Sequence, residues 1–196
     1  MKKIFLKFNE FLKTDSSKLK AIRGFTLIET LVSLAIFSAS IVALISVTAS
    51  GVANTNFAKN KLTASYLAQE GVEMVRNIRD SNSLLGGNGI PWVPFTTSVF
   101  SSCTPPNGCK IEPSANPLVA TICQVTNGYG CQLNYNSSGF YTYTTGSTAS
   151  PFSRLITVQD ALDGNNEVKV ISTVSWNQGS SPKSVTYSEN LFDWIQ

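Results

Sequence analysis

Four cysteines are the side chains with the clearest chemistry in the second half of the chain. They are Cys103, Cys109, Cys123 and Cys131. Four thiolates could hold zinc, but neither pair has the two-residue spacing that is typical of a zinc site. In an exported, loop-rich segment such cysteines form disulfides. Three pairings are possible, and we favour Cys103–Cys109 with Cys123–Cys131 because short loops close fastest.

Glu29 is a second candidate for chemistry, because it lies near the start of an uncharged apolar run. Residues 30–49 contain 14 apolar residues and six Ser or Thr residues. About 20 helical residues are enough to cross the apolar core of a bilayer. A carboxylate costs roughly 2.5–3.5 kcal/mol at the centre of such a helix and less near its end. Glu29 therefore needs a cationic partner once it is buried.

Other catalytic and metal-binding patterns are missing from the sequence. The chain of 196 residues contains no histidine, which excludes Ser-His-Asp and Cys-His catalysis and histidine-ligated metals. We find no paired catalytic carboxylates, nucleophile motif or Gly-rich phosphate loop. We therefore predict that the protein is not an enzyme and uses neither a cofactor nor a metal.

Charge is distributed unevenly along the chain. Residues 1–24 contain seven Lys or Arg and two acidic residues, whereas the remainder contains eight and ten. A basic segment before an apolar run places the N-terminus in the cytoplasm and the rest of the chain outside. The slightly acidic remainder argues against nucleic-acid binding.

The junction between the basic segment and the apolar run carries a specific motif. Residues 23–29 read Arg-Gly-Phe-Thr-Leu-Ile-Glu, and with the run behind them they resemble the cleavage and methylation motif of type IV prepilins and type II secretion pseudopilins. Residues 67–80 are similar to the helix end of PilV-type minor pilins. The alternative is an ordinary signal peptide cleaved after Ala49, but the apolar run is longer than a typical signal core and contains Glu29.

The resemblance implies a role for each residue of the motif. Gly24 would be the last residue of the leader, and a prepilin peptidase would cut after it. Phe25 would become the N-methylated first residue of the mature chain. Glu29 would pair with the Phe25 amine of a neighbouring subunit during filament assembly.

The resemblance also implies partners and a location. The partners would be the prepilin peptidase and methyltransferase, other pilin subunits and the cytoplasmic membrane. The precursor would cross that membrane once, with its N-terminus inside, and would then enter an extracellular or periplasmic filament.

Glycine and proline positions divide the chain into five segments. All eight prolines lie at or after Pro91, which predicts one long helix before that point. After Gly51 the helix becomes amphipathic, and we expect ion pairs from Arg76 to Glu73 and Asp80 on its polar face. We predict a basic leader (1–24), a transmembrane half-helix (25–52), an amphipathic half-helix (53–82), an irregular cysteine-containing region (83–139) and a sheet (140–196).

Four alternating runs near the C-terminus predict strands at 140–145, 152–159, 167–176 and 184–191. In the third run, every second residue faces the core: Val168, Val170, Ser172, Val174 and Trp176. Residues 163–166 predict a turn, with calcium binding as the rarer alternative for Asp160 and those residues. The predicted fold class is therefore α+β and pilin-like, with one long N-terminal helix packed on a small antiparallel sheet.

Two functions are compatible with this organisation. The first is a minor pilin or pseudopilin, which the long leader and the absence of proline from the apolar half-helix favour over a major pilin. The second is a filament-tip adhesin that contacts surfaces or substrates through residues 83–139.

Overall fold

The fold is described from a computed structural model, which covers residues 24–85, 92–124, 130–144, 148–160 and 167–193. The basic leader up to residue 23 and the expected turn at 163–166 lie outside the described residues. The chain forms two compact units, one ending at Gly51 and the other beginning at Val52.

One helix, α1, runs from Leu27 to Leu84 and includes 58 residues. It ends two residues later than the sequence predicts. No proline interrupts it, and its second half buries one face: Ala64, Leu67, Ala68, Gly71, Val72, Met74, Val75 and Ile78. This buried face confirms the prediction that the helix is amphipathic after Gly51.

Small residues on that face allow the sheet to come close to the helix. A Cβ atom added at Gly71 would lie 2.4 Å from the Ser172 side-chain oxygen. Ala64 and Ala68 are also fully buried. Larger side chains at these positions would push the helix away from the sheet.

The sheet has seven described strands. They are β1 (Gly108–Ile111), β2 (Ala120–Cys123), β3 (Cys131–Tyr135), β4 (Tyr141–Thr142), β5 (Thr148–Asp160), β6 (Glu167–Gln178) and β7 (Ser181–Phe192). All described pairings are antiparallel. The long strand β5 is central: β6 occupies one of its edges, and β3 and β1 share the other. Beyond these, β4 pairs with β3, β2 with β1 and β7 with β6.

The middle of the chain is more regular than its composition predicts. Residues 83–139 contribute a short helix α2 (Trp92–Val99), a 3₁₀ turn (Ser101–Cys103) and strands β1 to β3. The prediction of an irregular region beside a meander of three or four strands is therefore corrected. These strands have only four or five residues each, which is too short to produce a clear alternating pattern, and β1 and β3 also depend on pairing with the later strand β5.

Strand β6 provides the core face that the sequence predicts. Its residues Val168, Val170, Ser172, Val174 and Trp176 are all buried. Phe100 is buried, and Trp92 packs against the core. The apolar face of α1 and the inner face of the sheet thus enclose two hydrophobic clusters, one that includes Val75 and Ile156 and one that includes Ala68 and Trp176.

The ion pairs on the polar face of α1 differ in part from the prediction. Arg76 binds Glu73, as expected, but its second partner is Glu189 on β7 and not Asp80. Asp80 instead pairs with the adjacent Arg79. The spacing of residues along one helix predicts only partners on that helix. Glu189 lies on a strand, so the sequence did not reveal it as a partner of Arg76.

Two disulfides connect the short strands to their neighbours. Cys103 bonds to Cys109 and links the 3₁₀ turn to β1. Cys123 bonds to Cys131 and links the end of β2 to the start of β3. This is the pairing that short loops favour, and it leaves no free cysteine among the described residues.

Candidate processing and assembly site

A threonine cap fixes the start of α1 immediately after the predicted cleavage site. The Thr26 side-chain oxygen accepts a hydrogen bond from the Glu29 N–H at 3.3 Å. The Thr26 carbonyl accepts the N–H groups of Glu29 and Thr30 at 3.1 and 3.2 Å. A Thr followed three residues later by Glu is the sequence pattern of a capping box. The helix therefore begins at Leu27, two residues after Phe25.

The Gly24–Phe25 bond is accessible in this chain. Both residues are exposed, and the Phe25 side chain is 72% exposed. A Cβ atom added at Gly24 would meet no heavy atom within 4 Å. Packing among the described residues therefore does not require glycine at position 24, and a partner that reads the motif could impose such a requirement.

Glu29 lies in the first turn of α1. A carboxylate at this end is favoured by the partial positive charge of the helix N-terminus. Among the described residues, no Lys or Arg side chain lies within salt-bridge distance of Glu29. The described part of the chain therefore supplies the helix dipole but no neutralising cation.

The first half of α1 is apolar around its whole circumference. Its large apolar side chains are all exposed: Leu27, Ile28, Leu31, Val32, Leu34, Ile36, Phe37, Ile41, Val42, Leu44, Ile45, Val47 and Val52. The helix is long and apolar enough to cross a membrane, with a mean hydropathy of 2.3 in its most apolar window. A surface of this extent needs lipid or other protein chains to cover it.

Hydroxyl groups in this half of α1 are satisfied within the helix. Ser33 donates to the Glu29 carbonyl at 2.8 Å, Ser38 to the Leu34 carbonyl at 2.7 Å, and Ser40 likewise bonds the carbonyl four residues before it. Thr48 and Ser50 do the same. Such bonds allow Ser and Thr to enter an apolar environment without leaving an unpaired donor. The hydroxyl residues that form these bonds are therefore compatible with a membrane span.

The predicted site residues fall into two separate groups in the structure. Gly24, Phe25 and Glu29 lie together at the start of α1, in the first compact unit. The four cysteines lie in the second unit, where they connect strands. The cysteines therefore have a structural role, and the chemistry of the motif rests on the first group.

The sequence analysis missed a buried charged residue, Arg154. It lies on β5 and its side chain is fully buried. Its guanidinium donates to the Leu67 carbonyl at 3.0 Å, to the Glu70 carboxylate at 2.6 Å and to the Tyr143 hydroxyl at 2.9 Å. The signal was present, because Arg154 alternates with Phe152 and with Ile156 on the core face of a strand.

Arg154 is charged in the folded protein and connects α1 to the sheet. Burial alone would lower the pKa of Arg154, but the contacts with Tyr143 and Glu70 raise that pKa above its ordinary value. Burial raises the pKa of Tyr143, although the Arg154 charge opposes this shift. The guanidinium thus stays charged and the phenol stays neutral, and both are held between helix and strand.

Comparison with known proteins adds one finding. Residues 19–51 match the family described as the prokaryotic N-terminal methylation motif. No curated protein and no solved structure matches the chain. The matched motif implies processing by a prepilin peptidase and assembly with other pilins. Together with the apolar helix and the antiparallel sheet, the match supports a type IV pilin-like protein that is processed at its N-terminus and has a membrane-anchored precursor.

Proposed function

We propose that the protein is a minor pilin or pseudopilin, a structural subunit of a type IV pilus-like filament. Prepilin peptidase cuts between Gly24 and Phe25, and the new N-terminus is methylated. The observation that carries this proposal is the division of α1. Its first half exposes apolar side chains on every side and contains the matched motif, whereas its second half buries one face against a sheet. One half therefore suits lipid or a filament core, and the other anchors a folded domain.

In this proposal Glu29 selects the position of each new subunit. A buried carboxylate requires a cation, and the described residues place none beside it. Cleavage after Gly24 creates an amine at Phe25, four residues upstream. The amine of one subunit meets the Glu29 carboxylate of a neighbour, so that both charges are neutralised only when the axial register is correct.

The test compares Glu29→Val with a matched control, Ser33→Val. Both variants replace a polar side chain with an apolar one on the same helix face, but Ser33 only donates to the Glu29 carbonyl. We expect both variants to enter the membrane and to be cleaved. Glu29→Val should be absent from sheared filaments, because an unpaired buried amine costs roughly 3–5 kcal/mol.

The measurement combines a leader-cleavage gel with pull-down of tagged subunits from sheared filaments. Incorporation of Ser33→Val at the wild-type level supports the assignment. Incorporation of cleaved Glu29→Val at that same level would remove Glu29 from the assembly step. Loss of both variants from filaments would mean that the helix surface in general, and not the carboxylate, controls assembly.

A further inference from the structure

A cavity of about 460 Å³ in the second unit includes none of the residues of the processing and assembly site. Its walls come from one α1 residue, Glu70, from the segment after β1, and from β4 with the turn before it. The lining residues beyond Glu70 are Glu112, Pro113, Ser114, Asn136, Gly139, Phe140, Tyr141 and Thr142. Two acidic residues, Glu70 and Glu112, line this space, and neither Lys nor Arg is among the described lining residues.

The Glu112 carboxylate carries a charge that no ion pair balances among the described residues. One of its oxygens accepts the Thr142 and Ser114 hydroxyls at 2.9 and 3.0 Å. The other oxygen accepts the Tyr143 N–H at 2.7 Å. Burial opposes ionisation of Glu112, but these hydrogen bonds together bring its pKa below the ordinary value. Glu112 is therefore a fixed anion surrounded by neutral donors.

The other charges nearby do not neutralise Glu112. Glu70 is paired with Arg154, whose guanidinium is fully buried. Lys110 places its ammonium over the Tyr143 ring, 5.9 Å from the centroid, and it does not line the cavity. Among the residues that the structure describes, Glu112 thus has no ion-pair partner at the cavity.

An aromatic side chain is held at the rim of the cavity. Phe140 lines the cavity and is 70% exposed. The Asn136 side-chain oxygen accepts hydrogen bonds from the N–H groups of Ser138 and Phe140 at 3.0 and 2.9 Å, so the turn fixes the backbone position of Phe140. An exposed aromatic face attracts a cation, and a fixed carboxylate beside it adds to that attraction.

We infer that the cavity between Glu112 and Phe140 binds one ammonium or guanidinium group on a short alkyl chain. The carboxylate accepts hydrogen bonds from the cation, and the face of the Phe140 ring lies against the same cation. A basic side chain of another protein and a free amine offer the same chemistry. The inference does not depend on filament assembly, because no residue of the motif contributes to the cavity.

The test is a titration of the full chain in detergent, followed by the backbone amide resonances of Ser114 and Tyr143. Butylguanidinium is the probe, and butylurea is its neutral control of the same shape. We expect saturable shifts with butylguanidinium and none with butylurea. Glu112→Gln should weaken binding roughly tenfold or more, as loss of a charged hydrogen bond predicts. Phe140→Ala is a second variant, and because its side chain is exposed the fold should tolerate it.

Two further probes distinguish the sources of the cation. Capped lysine amide presents a protein-like side chain, and spermidine presents a free amine. Saturation by the lysine amide at concentrations similar to butylguanidinium assigns the site to a basic side chain, whereas saturation by spermidine alone assigns it to a free amine. Equal shifts with butylurea, or unchanged binding in both folded variants, would overturn the inference.

Discussion

Replacing Glu70 with glutamine should destabilise the second unit by leaving the Arg154 charge buried without a counter-charge. The Glu70→Gln variant keeps the size of the side chain and removes only its charge. Arg154 is fully buried, whereas the Glu70 side chain is 41% exposed. Solvent at Glu70 therefore screens part of the interaction, so the loss should be smaller than the 3–5 kcal/mol typical of a broken buried pair.

The expected loss follows from the bonds that remain. Arg154 still donates to the Leu67 carbonyl and to the Tyr143 hydroxyl. What disappears is the negative charge on the acceptor of one hydrogen bond, so the loss should not exceed the roughly 1.5–3 kcal/mol typical of a hydrogen bond to a charged group. Glu73→Gln is the matched control, because it makes the same change three residues later in an exposed pair with Arg76. That pair should contribute less than about 1 kcal/mol.

The assay is denaturant unfolding of the full chain in detergent with its disulfides intact. Trp176 is buried beside Phe57 and Phe152, so its fluorescence reports the packing of helix and sheet. We expect a clearly lower unfolding midpoint for Glu70→Gln than for Glu73→Gln, with an unchanged slope. Equal midpoints for the two variants would refute the reasoning, because Arg154 would then not depend on Glu70.

Three other predictions concern the same folded unit. Gly71→Ala should lower the free energy of unfolding by about 1–2 kcal/mol, because its Cβ would collide with the Ser172 side-chain oxygen. Gly51→Ala is the control and should leave the free energy of unfolding unchanged, because nothing lies within 4 Å of the added Cβ. Denaturant midpoints of the two variants provide the comparison. The folded-state pKa of Glu112 lies below its ordinary value of 4.5, so the contribution of Glu112 to stability is complete above that pH and is lost as the pH falls through the folded-state pKa. In thermal unfolding, the melting temperature should therefore fall more between pH 6 and pH 3 for wild type than for Glu112→Gln. Replacing Cys123 and Cys131 with alanine should lower the free energy of unfolding by less than the about 2–4 kcal/mol typical of a disulfide, because the loop that it closes is short. Leader cleavage, followed on a gel, should stay unchanged.

The helix and the core face of the sheet were predictable because their signals are local and periodic. Residues 64–78 repeat apolar and small side chains at three- and four-residue steps, and β6 alternates over its whole length. Both patterns reflect burial of one face, which any neighbouring layer would impose. The motif at 23–29 is also local, so its position at the start of α1 could be anticipated.

The remaining features depend on contacts between distant residues. Strands β1 and β2 have four residues each, and they become regular only through pairing with each other and with β5. Arg154 and Glu70 are separated by 84 positions, so no spacing rule connects them. The cavity at Glu112 likewise combines three segments that only the folded topology brings together.

The central claim is that the mature chain begins at Phe25, and mass spectrometry of its N-terminal peptide tests it most directly. The protein would be purified from cells with and without an active prepilin peptidase. We predict a first peptide that begins with N-methylated Phe25 when the peptidase is present, and a chain that retains the residues before Gly24 when it is absent. A mature chain that begins at Ser50 in both cell types would contradict the account, because an ordinary signal peptidase would then have removed the motif and the apolar half of α1.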